Sequence, residues 1–129
     1  PYKVASMTTM KRRILLLEDS PDLRMLLEHR LTRAGYEVLT AADAVEAGRL
    51  VVAQPPDLII ADIQLPYMNG DEFVAALRAD PAVRDIPVIF LSVDDKLEEH
   101  AKRLGAVAYF DKNVSAERLL EVVDFYVQG

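Results

Sequence analysis

Three short stretches, residues 14–17, 58–61 and 88–91, are apolar at every position, and they constrain the chain more than any other feature in it. A strand with one wet face alternates apolar and polar side chains, whereas a strand covered by helices on both faces reads as an unbroken apolar run. These three runs therefore belong at the centre of a sheet. Two weaker runs, 38–41 with Thr40 and 107–110 with Tyr109, suit its edges. Amphipathic stretches separate the five runs, with no repeat, low-complexity tract or linker, so from Arg13 onward the chain alternates strand and helix around a parallel sheet.

The helices carry their own signals. Ser20 before Pro21 supplies an N-cap and a first-turn proline; Leu23, Leu26, Leu27, Leu31 and Ala34 mark one face, and Gly35 the stop. Asp43 with Glu46 has capping-box spacing, and Ala47, Leu50 and Val51 continue that stripe to Pro55-Pro56. A third helix follows Gly70 with Phe73, Val74 and Leu77 inward and ends at Asp80-Pro81. Ser115 caps a fifth, with Leu119, Val122, Val123 and Tyr126 inward. The fourth, about 95–104, has only Leu97, Ala101 and Leu104 for an apolar stripe, which predicts the least firmly packed and most mobile helix.

At 129 residues, 51% of them hydrophobic, the chain suffices for one domain with a core of its own. The formal net charge of -6 argues against a nucleic-acid-binding surface, which needs clustered Lys and Arg. Without cysteine there is no disulfide framework, thiolate metal site or cysteine nucleophile. No apolar run approaches the roughly 18 residues of a membrane span, and no apolar secretory core opens the chain, so the expectation is a soluble, cytoplasmic protein. Residues 1–10 carry no helical or strand pattern. Met7 and Met10 each offer a natural start, and the segment reads as an N-terminal extension to a domain covering 11–129.

Ligands of a doubly wound sheet bind outside the carboxyl ends of its strands, near the switch in strand order. Glu18 and Asp19 follow the first run, Asp62 the third and Ser92 the fourth, while Lys112 comes just after the fifth. Three carboxylates so close repel one another unless a cation intervenes. Magnesium, or manganese, suits a set of oxygens; zinc would call for His or Cys. A metal, a lysine and a hydroxyl are an adequate set for phosphoryl transfer, which rests on positioning and charge stabilisation. Taken singly each residue has a blander reading: the acidic pair as a solvated loop, Ser92 as a turn former, Lys112 as surface charge and Tyr109 as an edge-strand aromatic. His29 and His100 read as exposed helix positions, and Gly70 and Gly105 as backbone devices.

In order and spacing, Leu17-Glu18-Asp19-Ser20, Pro56-Asp57-Leu58-Ile59-Ile60-Ala61-Asp62, Leu65-Pro66-Tyr67-Met68-Asn69-Gly70, Pro87-Val88-Ile89-Phe90-Leu91-Ser92, and Gly105-Ala106 through Tyr109-Phe110-Asp111-Lys112 resemble the receiver domains of bacterial two-component response regulators. The resemblance spans 13–128. It implies a flavodoxin-like α/β fold with strand order 2-1-3-4-5 and five helices, and a signalling domain, not an enzyme, that assists its own phosphorylation and dephosphorylation. By the same resemblance Asp62 is the phosphoacceptor. Asp19, Asp62 and the main-chain carbonyl of Gln64 ligate Mg²⁺ directly and Glu18 does so through water, while Ser92 and Lys112 contact the phosphoryl oxygens. Ser92 and Tyr109 then act as the switch that changes the partners of the face made by the fourth helix, fifth strand and fifth helix. The implied donor is a histidine kinase or phosphotransfer protein; the downstream protein is open, as is homodimer formation.

Three positions depart from the family pattern. Glu18 stands for the commoner aspartate and keeps the charge. Val93 stands where alanine or glycine is usual and narrows the route to Asp62. Asn113 replaces a proline, often cis; since a non-proline cis bond costs about 2.5–4 kcal/mol, a trans Lys112-Asn113 bond is expected. Val93 and Asn113 keep alive an alternative, a receiver-like interaction module independent of phosphorylation. An aspartate-nucleophile phosphohydrolase is disfavoured, because Gln64 occupies the place of the second aspartate such enzymes use as general acid.

Overall fold

The computed structural model of the chain describes residues 11–128. Strands β1 (Arg13–Leu17), β2 (Glu37–Ala41), β3 (Leu58–Ala61), β4 (Val88–Ser92) and β5 (Ala108–Asp111) alternate with helices α1 (Pro21–Arg33), α2 (Ala44–Ala53), α3 (Gly70–Arg78), α4 (Leu97–Leu104) and α5 (Ala116–Gln128). The strands form one parallel sheet in the order β2-β1-β3-β4-β5, as expected for the flavodoxin-like fold. The three fully apolar runs are its central strands. The extension expected over 1–10 lies outside the described residues.

Side chains of each central strand alternate between two apolar layers. Leu15, Leu17, Ile59, Ala61, Val88 and Phe90 pack under α2, α3 and α4 with Ala47, Val51, Phe73, Val74, Leu77, Ala101 and Leu104. Ile14, Leu16, Leu58, Ile60, Ile89 and Leu91 face the other way, onto Leu27 and Leu31 of α1 and Leu119, Val123 and Val127 of α5. Both layers are apolar and closely covered by helices, which fixes the register of the sheet beneath its loops.

The expected caps form. The Ser20 hydroxyl accepts from Leu23 N and Pro21 opens α1; the Asp43 carboxylate accepts from Glu46 N; the Ser115 hydroxyl accepts from Arg118 N. Gly35 ends α1 with φ of +101°, a conformation open to glycine at no steric cost. Three expected core positions are corrected. Leu26 is 50% exposed, Tyr126 38%, and Ala34 is exposed at the C-cap of α1, because the buried stripes of α1 and α5 run through Leu27 and Leu31, and through Leu119, Val123 and Val127. α4 begins at Leu97, since Asp94 accepts from Lys96 N and turns the chain just before it.

α4 buries only Ala101 and Leu104, as its narrow stripe predicts. A polar bracket to α3 supplements that packing, and it corrects the reading of His100 as an exposed helix position. His100 Nδ1 and Arg103 Nη2 each lie 3.5 Å from the Asp71 carboxylate, and His100 is half-buried. Arg78 donates to the carbonyls of Leu104, Arg84 and Ile86, tying the end of α4 to α3 and to the turn before β4.

Candidate functional site

Register builds the site. Leu17 pairs with Ala61 across β1 and β3, so the residues that follow them, Glu18 and Asp62, leave the sheet side by side. This is where the strand order reverses: β1 leads to β2 on one side, and β3 begins the other. Ser92 ends β4 opposite Asp111 of β5, and the next residue, Lys112, turns back across the strand tips. The ammonium Nζ of Lys112 stands 2.6 Å from Asp62 Oδ2 and 3.1 Å from Glu18 Oε2.

Glu18, Asp62 and Ser92 are the buried polar residues of the described chain, and Asp19 beside them is exposed. Each buried group has a partner: Glu18 Oε2 accepts from Ser20 N at 2.9 Å, Asp62 Oδ1 from Gln64 N at 3.1 Å, and the Ser92 hydroxyl from Asp94 N at 3.2 Å. Burial pushes the Glu18 carboxyl above its ordinary range, aided by the Asp62 charge and opposed by the bonds from Ser20 and Lys112. For Lys112, burial pulls downward, yet the hydrogen bonds and charges of Asp62 and Glu18 prevail and hold the ammonium above its usual value. The cluster is poised between electrostatic satisfaction and surplus negative charge.

One oxygen from each of Glu18, Asp19 and Asp62 can be chosen so that all lie within 4.8 Å of one another. Oxygens sharing one magnesium at about 2.1 Å are at most about 4.2 Å apart, so the set fits with one member acting through water. The buried, lysine-braced Glu18 suits that member. All donors are oxygens, as a hard cation requires. The structure brings Glu18, Asp19, Asp62 and Lys112 together and sets Ser92 at the neighbouring strand end, whereas Tyr109 lies apart, beside α4; Gln64 contributes its main chain beside Asp62 and turns its side chain to solvent. The described chain has no cis peptide bond, so Lys112-Asn113 is trans as expected.

Tyr109 on β5 is 39% exposed and stands near Glu98 of α4, whose carboxyl is held below its ordinary value chiefly by the hydrogen bond and charge of Lys102 at 2.8 Å. Beside it lies a groove of about 530 Å³ between α4, β5 and α5, with Val122, Phe125 and Tyr126 on its α5 wall. Val93, next to buried Ser92, is 58% exposed at the rim of the acidic cleft.

One contact escaped sequence reasoning, and another gives a physical reason for the backbone role read for Gly70. Arg24 of α1 donates to the main-chain carbonyls of both Glu18 and Asp19. A Cβ on Gly70 would stand 1.8 Å from the Asp62 carbonyl oxygen, so the first turn of α3 presses directly on the Asp62 backbone. The Leu65 to Gly70 motif pointed to the second; nothing in the sequence distinguished Arg24 from its neighbours.

The family model for the response regulator receiver domain matches residues 14–124. The chain belongs to this family. The polar-differentiation response regulator DivK of Brucella anthropi is 33% identical over 122 residues, which cover 92% of this receiver domain and 98% of DivK. The hybrid signal transduction histidine kinase D of Dictyostelium discoideum is 35% identical over 109 residues, 83% of this chain but 7% of that kinase. Receiver domains thus occur both as nearly whole proteins and as small parts of larger ones. Among solved structures, the receiver domain of a Pseudomonas aeruginosa PAO1 sensor histidine kinase superposes with a TM-score of 0.83 at 27% identity, covering 93% of this chain and 100% of that one, and it holds a magnesium ion in its active site cleft. Receiver domains are signalling domains. Among the described residues, no helix is long and apolar enough to cross a membrane.

Proposed function

We propose that this receiver domain accepts a phosphoryl group on Asp62 in a Mg²⁺-dependent reaction and thereby switches a protein-binding face. The observation that carries the reading is the Lys112 ammonium held between two buried carboxylates at the switch point of the sheet. A buried Asp whose second oxygen is already fixed by Gln64 N presents its other oxygen in a set direction. That oxygen attacks phosphorus, the bond from phosphorus to the donor breaks, and an acyl phosphate forms on Asp62. Lys112 then balances the phosphoryl oxygens, and the Ser92 hydroxyl donates to one of them.

Asp19, Asp62 and the Gln64 carbonyl would hold Mg²⁺ directly, and Glu18 through water; Mn²⁺ satisfies the same ligands. When bound, the ion supplies the positive charge that lets an anionic donor approach an anionic cleft. The donor is a histidine kinase or phosphotransfer protein of the cytoplasm, and nucleic acid is not a direct partner. The switch follows from the positions of two residues. As Ser92 moves to the phosphoryl group it leaves space at the end of β4, and Tyr109 turns inward from beside α4. The α4–β5–α5 groove then changes shape for a downstream protein, or for a second copy of the chain.

Beryllofluoride with Mg²⁺, which mimics an acyl phosphate on a carboxylate, tests this by amide NMR. The expected result is a shift of resonances around Asp62 together with Tyr109 and α4, absent in Asp62→Asn. Shifts confined to the cleft would refute the switch, and no shift at all would refute the phosphoacceptor.

A further inference from the structure

We infer that Arg24 is a positioning residue for the cation site, holding from α1 the main-chain carbonyls of Glu18 and Asp19 so that both acidic side chains turn toward Asp62. The inference rests on the cation-site reading above and adds to it a residue that is not itself a ligand. Arg24 Nη1 lies 2.8 Å from the Glu18 carbonyl oxygen and 3.3 Å from that of Asp19. The side chain is half-buried, and among the described residues its guanidinium pairs with no carboxylate. A cation one turn into a helix usually serves as solvated surface charge or as half of an ion pair. This one is committed instead to two main-chain oxygens of the same loop.

The two acids differ in what else holds them. Glu18 is fixed by Ser20 N and Lys112, whereas the exposed Asp19 carboxylate accepts no hydrogen bond and joins no ion pair among the described residues. Its direction is therefore set by its own main chain, and the Asp19 carbonyl is held by Arg24. A ligand ordered only on binding weakens the complex by the entropy it loses, so a held main chain favours capture of the ion.

As a charge, Arg24 acts the opposite way, because a guanidinium near a cation site repels the cation. Its exposed part is screened by water and salt, and the two carbonyl dipoles it faces offset its field. Positioning therefore outweighs repulsion. The two effects have opposite signs, which makes the direction of the affinity change decisive.

The test is titration of the full chain with Mg²⁺ by calorimetry, and with Mn²⁺ by the EPR signal of free ion, both without phosphodonor. Arg24→Met keeps the aliphatic stem and loses every donor; Arg24→Lys keeps the charge and loses the fork. The Mg²⁺ dissociation constant is expected to rise about five- to tenfold in Arg24→Met and two- to threefold in Arg24→Lys. Wild-type or tighter binding by Arg24→Met overturns the inference. If the Met variant does not fold, unchanged binding by the Lys variant overturns it. Failure of the wild type to bind either ion would instead refute the cation site itself.

Discussion

The Lys112 ammonium reaches Asp62 Oδ2 at 2.6 Å and Glu18 Oε2 at 3.1 Å, so one cation serves two buried carboxylates from different strands. Removing it leaves both acids in a low-dielectric pocket with no counter-charge. Breaking a fully buried pair costs roughly 3–5 kcal/mol, and the part-exposed lysine lowers that to about 2 kcal/mol here. Lys112→Met is expected to lose this much unfolding free energy in EDTA and to regain part of it in Mg²⁺, measured by urea denaturation. Equal stability of the two proteins in EDTA would show that the bridge is not a net support.

The acid side of the same bridge fixes a pH dependence. Burial raises the Glu18 carboxyl above its ordinary 4.5, so between that value and the raised one the folded chain binds more protons than the unfolded chain. Stability contributed by this group therefore falls as pH rises through the window and stays low above it. Glu18→Gln removes the burden: in EDTA it is expected to be more stable than wild type at neutral pH, with the difference shrinking as pH falls towards about 4.5 and levelling off below it. Urea midpoints at several pH values check this, and a variant less stable at neutral pH contradicts it.

Arg78 donates to three carbonyls at 2.8–3.0 Å, one of them at the end of α4. Burial lowers its pKa only against a very high starting value, so it remains charged. Arg78→Met leaves those carbonyls without a charged donor and is expected to cost about 2 kcal/mol, with the largest gain in amide exchange at the end of α4. Uniform exchange across the domain would mean that the bracket does not act locally.

Val93 is 58% exposed directly after buried Ser92, and its branched side chain is expected to narrow the route to Asp62. Val93→Ala is expected to speed phosphorylation by acetyl phosphate severalfold with little change in stability, followed by stopped-flow fluorescence or mass spectrometry. An unchanged rate would remove the gating role.

Much of this was legible in the residues, for reasons that differ by element. The central strands declared themselves because burial on both faces leaves no polar alternation, and the site followed because acidic residues directly after such strands have few structural uses. Leu26, Ala34 and Tyr126 misled because a helical stripe is wider than the surface actually covered. His100 was missed because its partner, Asp71, lies on another helix and neither residue is unusual alone. The Arg24 clamp was missed because its acceptors are main-chain oxygens, which carry no sequence signature.

Intact mass after incubation with acetyl phosphate and Mg²⁺ addresses the central claim most directly. One added phosphoryl group is expected on the wild type, lost on adding hydroxylamine and absent in Asp62→Asn or in EDTA. Labelling that persists in Asp62→Asn, or none in either protein, would contradict the assignment of Asp62 as phosphoacceptor.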